Sequence, residues 1–154
     1  MYLVIHETPF VEVAHVNRAE ALIIRWKVQP DDCSFRETYL KCSEYVMANQ
    51  PLTYFCTDLT LIGSLEREYE AWLAIEFYPE FYRKIQKTIY AAVVFSEDHF
   101  KALIVNYQLP ADSQAHAAIH FNYFTSQEEA WFWLESIKKG HDTAVLPMAH
   151  EFLI

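Results

Sequence analysis

Ser64 is the first residue whose position could support chemistry. It follows Gly63 and precedes a predicted helix whose first turn contains Glu66 and Glu68. The free amide groups and the dipole at a helix N-terminus favour an anion, so a phosphate on Ser64 would be stabilised there. The two glutamates would repel that phosphate, and an ordinary N-cap serine explains the same pattern. Ser64 is therefore a candidate phospho-acceptor, with a structural cap as the simpler interpretation.

Asp58 is the second candidate, because it ends an apolar predicted strand over residues 52–58. In open α/β sheets, ligands bind at the carboxyl ends of the strands. Together with Thr57 and Thr60, Asp58 could form the polar rim of such a site. The competing interpretation is a turn aspartate that accepts a hydrogen bond from its own backbone, which is the more common role.

His116 and His120 are four residues apart, a spacing that suits a metal pair on a helix. His120 lies in an alternating segment that predicts a strand, where this spacing separates the two residues by about 13 Å. The sequence contains no HExxH motif, no GxSxG elbow and no CxxC pair. We therefore expect no metal, no cofactor and no enzymatic activity.

Composition narrows the function classes further. Only two glycines occur in 154 residues, which nearly excludes glycine-rich loops that bind phosphate groups. Twenty-one acidic and twelve basic residues give a net charge of −9, which opposes nucleic-acid binding. No segment approaches the roughly 20 apolar residues of a membrane span, and the N-terminal segment lacks signal-peptide features. Three cysteines without metal or redox spacing indicate free thiols, a reducing compartment and a cytoplasmic location.

Residues 52–95 predict the fold class. Two apolar strands flank a helix, and a connection of this length gives parallel strands joined by a right-handed crossover. Three short strands precede this unit and predict an antiparallel start to the sheet. We expect an α/β fold: a mixed β-sheet with antiparallel N-terminal strands, parallel βαβ units and about four helices packed on it.

Four sequence patterns predict those helices. A capping box at Ser34 begins the first helix, and Pro79 must kink or restart the second because proline lacks an amide hydrogen. The third follows Ser96, and the fourth follows Ser126. Residues 1–140 are predicted to form a single domain, and residues 141–154 an apolar tail packed on that domain or on a partner subunit.

Aromatic residues crowd the second and fourth helices. A monomer of this size struggles to bury them all, and exposed apolar patches mark interfaces or ligand grooves. An unusually aromatic core is the competing interpretation. The candidate interface or ligand-binding residues are Trp72, Phe77, Tyr78, Phe81, Tyr82, Trp131 and Trp133. The first choice for a contact surface is the set of four aromatic residues around Pro79: Phe77, Tyr78, Phe81 and Tyr82.

The predicted element order is β-β-β-α-β-α-β-α-β-α, and several local patterns accompany it. These are Ile24-Arg25-Trp26-Lys27, Phe55-Cys56-Thr57-Asp58-Leu59, Trp72 with Phe77 ahead of Pro79, and His120-Phe121-Asn122-Tyr123-Phe124 leading into Glu128-Glu129-Ala130-Trp131-Phe132-Trp133-Leu134. Together they resemble the STAS-like, SpoIIAA-like bacterial family over roughly residues 10–137. The resemblance implies a small sheet with helices packed on it, a commonly dimeric state and no established enzymatic activity.

This family is similar in fold to anti-sigma factor antagonists and to the lipid-carrying CRAL-TRIO domains. In the antagonists, a strand ending in Asp-Leu-Ser precedes an Asp-Ser-Ser-Gly turn whose serine is phosphorylated. Asp58-Leu59-Thr60 matches the first part, whereas Ile62-Gly63-Ser64-Leu65 comes two residues early and lacks the aspartate.

We therefore expect a non-enzymatic STAS-like protein-interaction or regulatory module that forms a homodimer and binds itself or another regulatory protein. The alternative, which the CRAL-TRIO likeness implies, is a small apolar-ligand or lipid-binding protein. Its aromatic pocket would lie between the Pro79 helix and the sheet.

Overall fold

A computed structural model of the chain describes residues 2–16, 20–49, 52–63, 65–98 and 119–140. A π-helical turn (Leu73–Phe77) joins the second and third α-helices into one continuous body. The elements are β1 (Tyr2–Glu7), β2 (Val11–Val16), β3 (Ala21–Trp26), α1 (Asp32–Asn49), β4 (Tyr54–Asp58), α2 (Arg67–Trp72), α3 (Tyr78–Ile85), β5 (Ile89–Val94), β6 (Ile119–Phe124) and α4 (Gln127–Lys138).

The six strands form one sheet in chain order, β1-β2-β3-β4-β5-β6. The first three pair antiparallel, and β3 to β6 pair parallel. The predicted mixed sheet, with antiparallel N-terminal strands and parallel βαβ units, is therefore confirmed. The register of the sheet places Arg25 beside Asp58 and Asp58 beside Val94. The carboxyl ends of β3, β4 and β5 therefore lie side by side.

Helices cover both faces of the sheet. The face under α1, α2 and α3, here the α1 face, holds the larger core, in which Trp26, Phe35 and Tyr39 are fully buried. The opposite face, here the α4 face, holds a smaller core of strand residues under Trp133 and Leu134 of α4. Because side chains alternate along a strand, neighbouring strand residues such as Thr57 and Asp58 lie on opposite faces.

The described residues contain three helical bodies: α1, the continuous segment from α2 to α3, and α4. The predicted third helix, after Ser96, falls mostly outside the described residues, as does the predicted tail 141–154. Within the described part of the chain, no helix is both long and apolar enough to cross a membrane.

The first helix begins one turn earlier than the capping box predicts. It starts at Asp32, and the carboxylate of Asp31 accepts a hydrogen bond from the Ser34 amide at 2.7 Å, which lowers the pKa of Asp31. Ser34 lies inside the first turn, where its carbonyl accepts a bond from the Thr38 hydroxyl at 2.8 Å. The cap at Ser34 was therefore a wrong prediction, because Asp31 supplies an equally good acceptor earlier in the chain.

Pro79 lies in the first turn of α3, where the α-helix restarts as predicted, directly after the π-helical turn. The Tyr78 amide donates to the Leu73 carbonyl, five residues back. Pro79 has no amide to offer the Ile75 carbonyl four residues back, so the regular helical pattern cannot continue through it. The α-helical pattern continues through α3 to Ile85, and the next residue, Gln86, caps the helix in a left-handed conformation.

Candidate functional site

Asp58 is the centre of a polar network on the α4 face, at the carboxyl end of β4. Its Oδ1 accepts hydrogen bonds from the Thr60 amide at 2.9 Å and the Thr60 hydroxyl at 2.7 Å. Its Oδ2 accepts from Nε2 of Gln127 at 2.6 Å and from Nε of Arg25 at 3.4 Å. Asp58 is buried, and donors of the protein itself occupy both oxygens. The bond from the Thr60 amide is the one that the turn-aspartate interpretation requires.

Arg25 extends this network to the first two strands. Its Nη1 donates to Oε1 of Glu12 at 3.3 Å and to the Tyr2 hydroxyl at 3.4 Å, and that hydroxyl in turn donates to Glu12. Partial burial lowers the pKa of Arg25, but the neighbouring Tyr2 and Asp58 outweigh this and raise it. We call these five linked residues the polar chain: Tyr2, Glu12, Arg25, Asp58 and Gln127. It connects β1, β2, β3, β4 and α4.

The polar chain fixes the direction of the Tyr2 side chain. In the sheet Tyr2 lies opposite Val16, whereas its hydroxyl bonds to Glu12, four residues earlier in β2. Four residues of strand span about 13 Å, so the ring must run along the α4 face rather than stand away from it. Burial, and then the hydrogen bond to Glu12, raise the pKa of Tyr2. The Tyr2 side chain is thus exposed, while hydrogen bonds to Glu12 and Arg25 fix the position of its hydroxyl.

Strand β1 ends the sheet, and in the described structure it pairs only with β2. Tyr2, Leu3 and Val4 are 47%, 47% and 42% exposed, a high fraction for three consecutive large apolar residues. The pairing of β1 with β2 is interrupted after Val4, where the register shifts, and it resumes at His6 and Glu7. We call residues 2–4 the open edge. Unpaired amide and carbonyl groups on such an edge are a template for another strand.

The open edge presents apolar side chains on both faces of the sheet. Leu3 lies opposite His15, whose Nδ1 is 2.7 Å from the hydroxyl of Tyr45 in α1. Residues directly opposite each other in a pair share a face, so Leu3 lies on the α1 face. Tyr2 and Val4 therefore lie on the α4 face, in agreement with the bond from Tyr2 to Glu12.

The rings around Pro79 do not form the exposed contact surface that their number indicated. Phe77, Tyr78 and Phe81 are 7%, 1% and 2% exposed and belong to the α1-face core. Phe77 stacks on Phe81 and on Trp72, with ring centroids 5.6 Å apart in both pairs. Trp72 and Tyr82 are half-buried and pack against the same core. These rings occupy the space between helix and sheet where the alternative interpretation places a ligand.

The two tryptophans of α4 have different surroundings. Trp133 is buried in the α4-face core, with its ring centroid 5.8 Å from Phe124 and 6.2 Å from Tyr90. Trp131 is half-buried at the side of that core. Phe132 between them is the exposed ring of this helix. The candidate surface at Trp131 is therefore partial, and Trp133 is a core residue.

The structure does not bring the remaining candidate site residues into one group. Thr57 is buried on the α1 face, so it does not join Asp58 and Thr60 in a rim. Ser64 and His116 lie outside the described residues. His120 of β6 stacks on Tyr90 of β5, with their ring centroids 5.2 Å apart. In the described ranges, no three His, Cys, Asp or Glu side chains are grouped as metal ligands.

Sequence reasoning missed most of the polar chain. Arg25 carried the clearest signal, since it lies between two buried residues, Ile24 and Trp26, in the strand on which the antiparallel and parallel parts meet. A charge in such a strand requires a partner. Gln127 carried no signal, because a glutamine in the first turn of a helix is ordinary.

No protein family, no curated protein and no solved structure matches this chain.

Proposed function

We propose that this chain is a non-enzymatic, STAS-like protein-interaction module of the bacterial cytoplasm that works as a homodimer. Its contact surface is the open edge, residues 2–4. The observation that carries the proposal is the exposure of three consecutive apolar residues on an edge strand that has no neighbour on its outer side in the described structure. A further regulatory protein is the second partner in this proposal, and it would bind the dimer.

The open edge has the properties of an interaction hot spot. Residues that dominate binding energy are commonly aromatic and are held in place before the partner arrives. Tyr2 satisfies both conditions, because Glu12 and Arg25 hold its hydroxyl while the ring remains exposed. The backbone of the edge strand supplies hydrogen bonds that do not depend on the sequence of the partner.

Two observations favour binding over the other function classes. Asp58 is a buried carboxylate at the carboxyl ends of the parallel strands, where ligands bind in α/β sheets, and its oxygens accept hydrogen bonds from Thr60, Gln127 and Arg25. Trp72, Phe77 and Phe81, which the ligand-binding alternative places around a pocket, stack on one another instead. Both features support a module that acts through its surface.

Native mass spectrometry at tens of micromolar protein tests this proposal. We expect a species at twice 18.2 kDa for the natural sequence, and a folded monomer for Val4→Lys, because a lysine on an edge strand opposes pairing. Leu61→Lys is the matched control. Leu61 is also exposed but lies in the turn after β4, so this variant should remain dimeric.

A natural sequence that stays monomeric at these concentrations would contradict the proposal. A monomer that carries an additional few hundred daltons, the order expected for a small apolar ligand, would support the ligand-binding alternative instead.

A further inference from the structure

The geometry of the open edge also defines how two copies meet, an inference that rests on the proposed homodimer. We infer that β1 of one copy pairs antiparallel with β1 of a second copy about a two-fold axis at Leu3. The two six-stranded sheets then form one continuous sheet of twelve strands.

The register shift between Val4 and His6 of β1 favours this pairing over the alternatives. A two-fold axis at Leu3 places Tyr2 opposite Val4 of the partner subunit and uses only residues before the register shift. An axis at Val4 would place Tyr2 opposite the partner's His6, and the pairing would run through the irregular step. Bulges bend a strand and end regular pairing, so the second register is disfavoured.

Charge favours the same arrangement. The chain has a net charge of −9, so joining two copies brings two negatively charged molecules together. Residues 2–5 are uncharged, and the next acid along β1 is Glu7, whose carboxylate bonds to Lys27 at 3.0 Å. With the axis at Leu3, the two Glu7 residues lie about 26 Å apart along the strands, by the rise per residue.

The side chains complement one another on each face. On the α4 face, each Tyr2 packs beside Val4 of the partner subunit, and aromatic with β-branched pairs are favourable across strands. On the α1 face, Leu3 meets the partner's Leu3 at the axis. The bond between Tyr2 and Glu12 keeps the Tyr2 ring over its own sheet, so its contact with Val4 of the partner subunit comes from their opposed positions across the two β1 strands.

Disulfide cross-linking reads this register directly. The background is Cys33→Ser, because Cys33 is exposed whereas Cys42 and Cys56 are buried. Leu3→Cys would place two thiols on the axis with their Cα atoms about 4.5–5.5 Å apart, within the range that disulfides span. Val4→Cys would place its two Cα atoms roughly 8 Å apart, by strand rise and strand spacing, which exceeds that range. Leu40→Cys, on the exposed side of α1, measures random collision.

Under mild oxidation, we expect Leu3→Cys to form a reducible dimer about tenfold faster than Val4→Cys or Leu40→Cys, since only its Cα spacing permits a disulfide. Faster cross-linking of Val4→Cys would overturn the axis at Leu3. Cross-linking of Leu3→Cys at the Leu40→Cys rate would also overturn the inference. If the protein were nevertheless a dimer by native mass spectrometry, the proposed function would stand. A monomeric natural sequence would overturn both, and circular dichroism of each variant establishes that it is folded.

Discussion

Gln127 donates a hydrogen bond of 2.6 Å to Asp58, which lies 69 residues earlier in the chain. This bond connects the first turn of α4 to the carboxyl end of β4, and Arg25 of β3 bonds to the same carboxylate oxygen. The carboxylate of Asp58 thereby holds the end of α4 against the centre of the sheet, and the polar chain continues from there to the open edge.

Replacement of Asp58 should destabilise the protein without changing its fold. Asp58→Ala leaves Gln127 and the Nε of Arg25 without this acceptor, and we expect the free energy of unfolding to fall by about 2–4 kcal/mol. Asp58→Asn keeps one oxygen and should lose about half as much. Urea unfolding followed by circular dichroism measures both values.

Thr60→Ala is the control for the Asp58 variants, because it removes a single donor from an exposed residue. Its expected cost is below about 1 kcal/mol. If Asp58→Ala cost no more than this control, the polar chain would contribute nothing to holding α4 in place.

The fold was readable from the sequence because its signals are local. Periodicity and turn residues predicted the order of the strands along the chain, and the length of the connection between β4 and β5 indicated parallel pairing. The bond from Gln127 to Asp58 depends on where α4 packs after the sheet has formed, and no local pattern encodes it. The cap at Asp31 was missed for a smaller reason, since two good acceptors stood three residues apart.

The burial of the rings around Pro79 could not be predicted from the sequence, because the sequence does not reveal the π-helical turn. On a regular helix, Tyr78 and Leu73 lie on different sides. The wider turn bonds the Tyr78 amide to the Leu73 carbonyl and brings both residues to the inner side. Rings that a regular helix would distribute around its surface therefore enter the core together.

A charged side chain at Tyr78 should therefore unfold the protein rather than release a folded monomer. Tyr78 is almost completely buried, and burial raises its pKa well above the usual value. We expect Tyr78→Asp to lower the free energy of unfolding by more than about 4 kcal/mol, as for a buried, unpaired charge. Tyr82→Asp, at a half-buried position of the same helix, should cost about 1–2 kcal/mol. A folded, monomeric Tyr78→Asp would instead make Tyr78 part of a contact surface.

Thiol chemistry should distinguish the three cysteines. Burial raises the pKa values of Cys42 and Cys56 to about 12, so neither forms a reactive thiolate near neutral pH. Cys33 is exposed. Ellman's reagent should titrate one thiol per native chain and three in denaturant, and two fast thiols in the native protein would contradict this placement of the cores.

The same two thiols give the stability a defined alkaline dependence. Their pKa rises from 9.0 in the unfolded chain to about 12 in the folded protein. Between these values the unfolded chain releases protons that the folded protein retains, so unfolding becomes more favourable as pH increases. The stabilisation is complete below pH 9 and is lost towards pH 12, at up to about 1.4 kcal/mol per pH unit for each thiol.

Urea midpoints at about pH 8 and about pH 10 measure this loss. Cys56→Ala is the informative variant: it should be less stable at neutral pH because a small cavity remains, yet show a shallower alkaline decline. An unchanged slope in this variant would contradict the assignment of the decline to the buried thiols.

The Tyr2 hydroxyl connects the polar chain to the proposed interface, and its removal tests that connection. Tyr2→Phe keeps the exposed ring but releases it from Glu12 and Arg25. Because the freed ring must be ordered again on binding, we expect the dimer to weaken by about three- to tenfold. Sedimentation equilibrium measures the dissociation constant, and Tyr82→Phe, on α3 and away from the edge, is the matched control. If both variants dissociate equally, the anchoring of Tyr2 does not contribute to the interface, and the open edge would bind through its backbone and aliphatic side chains alone.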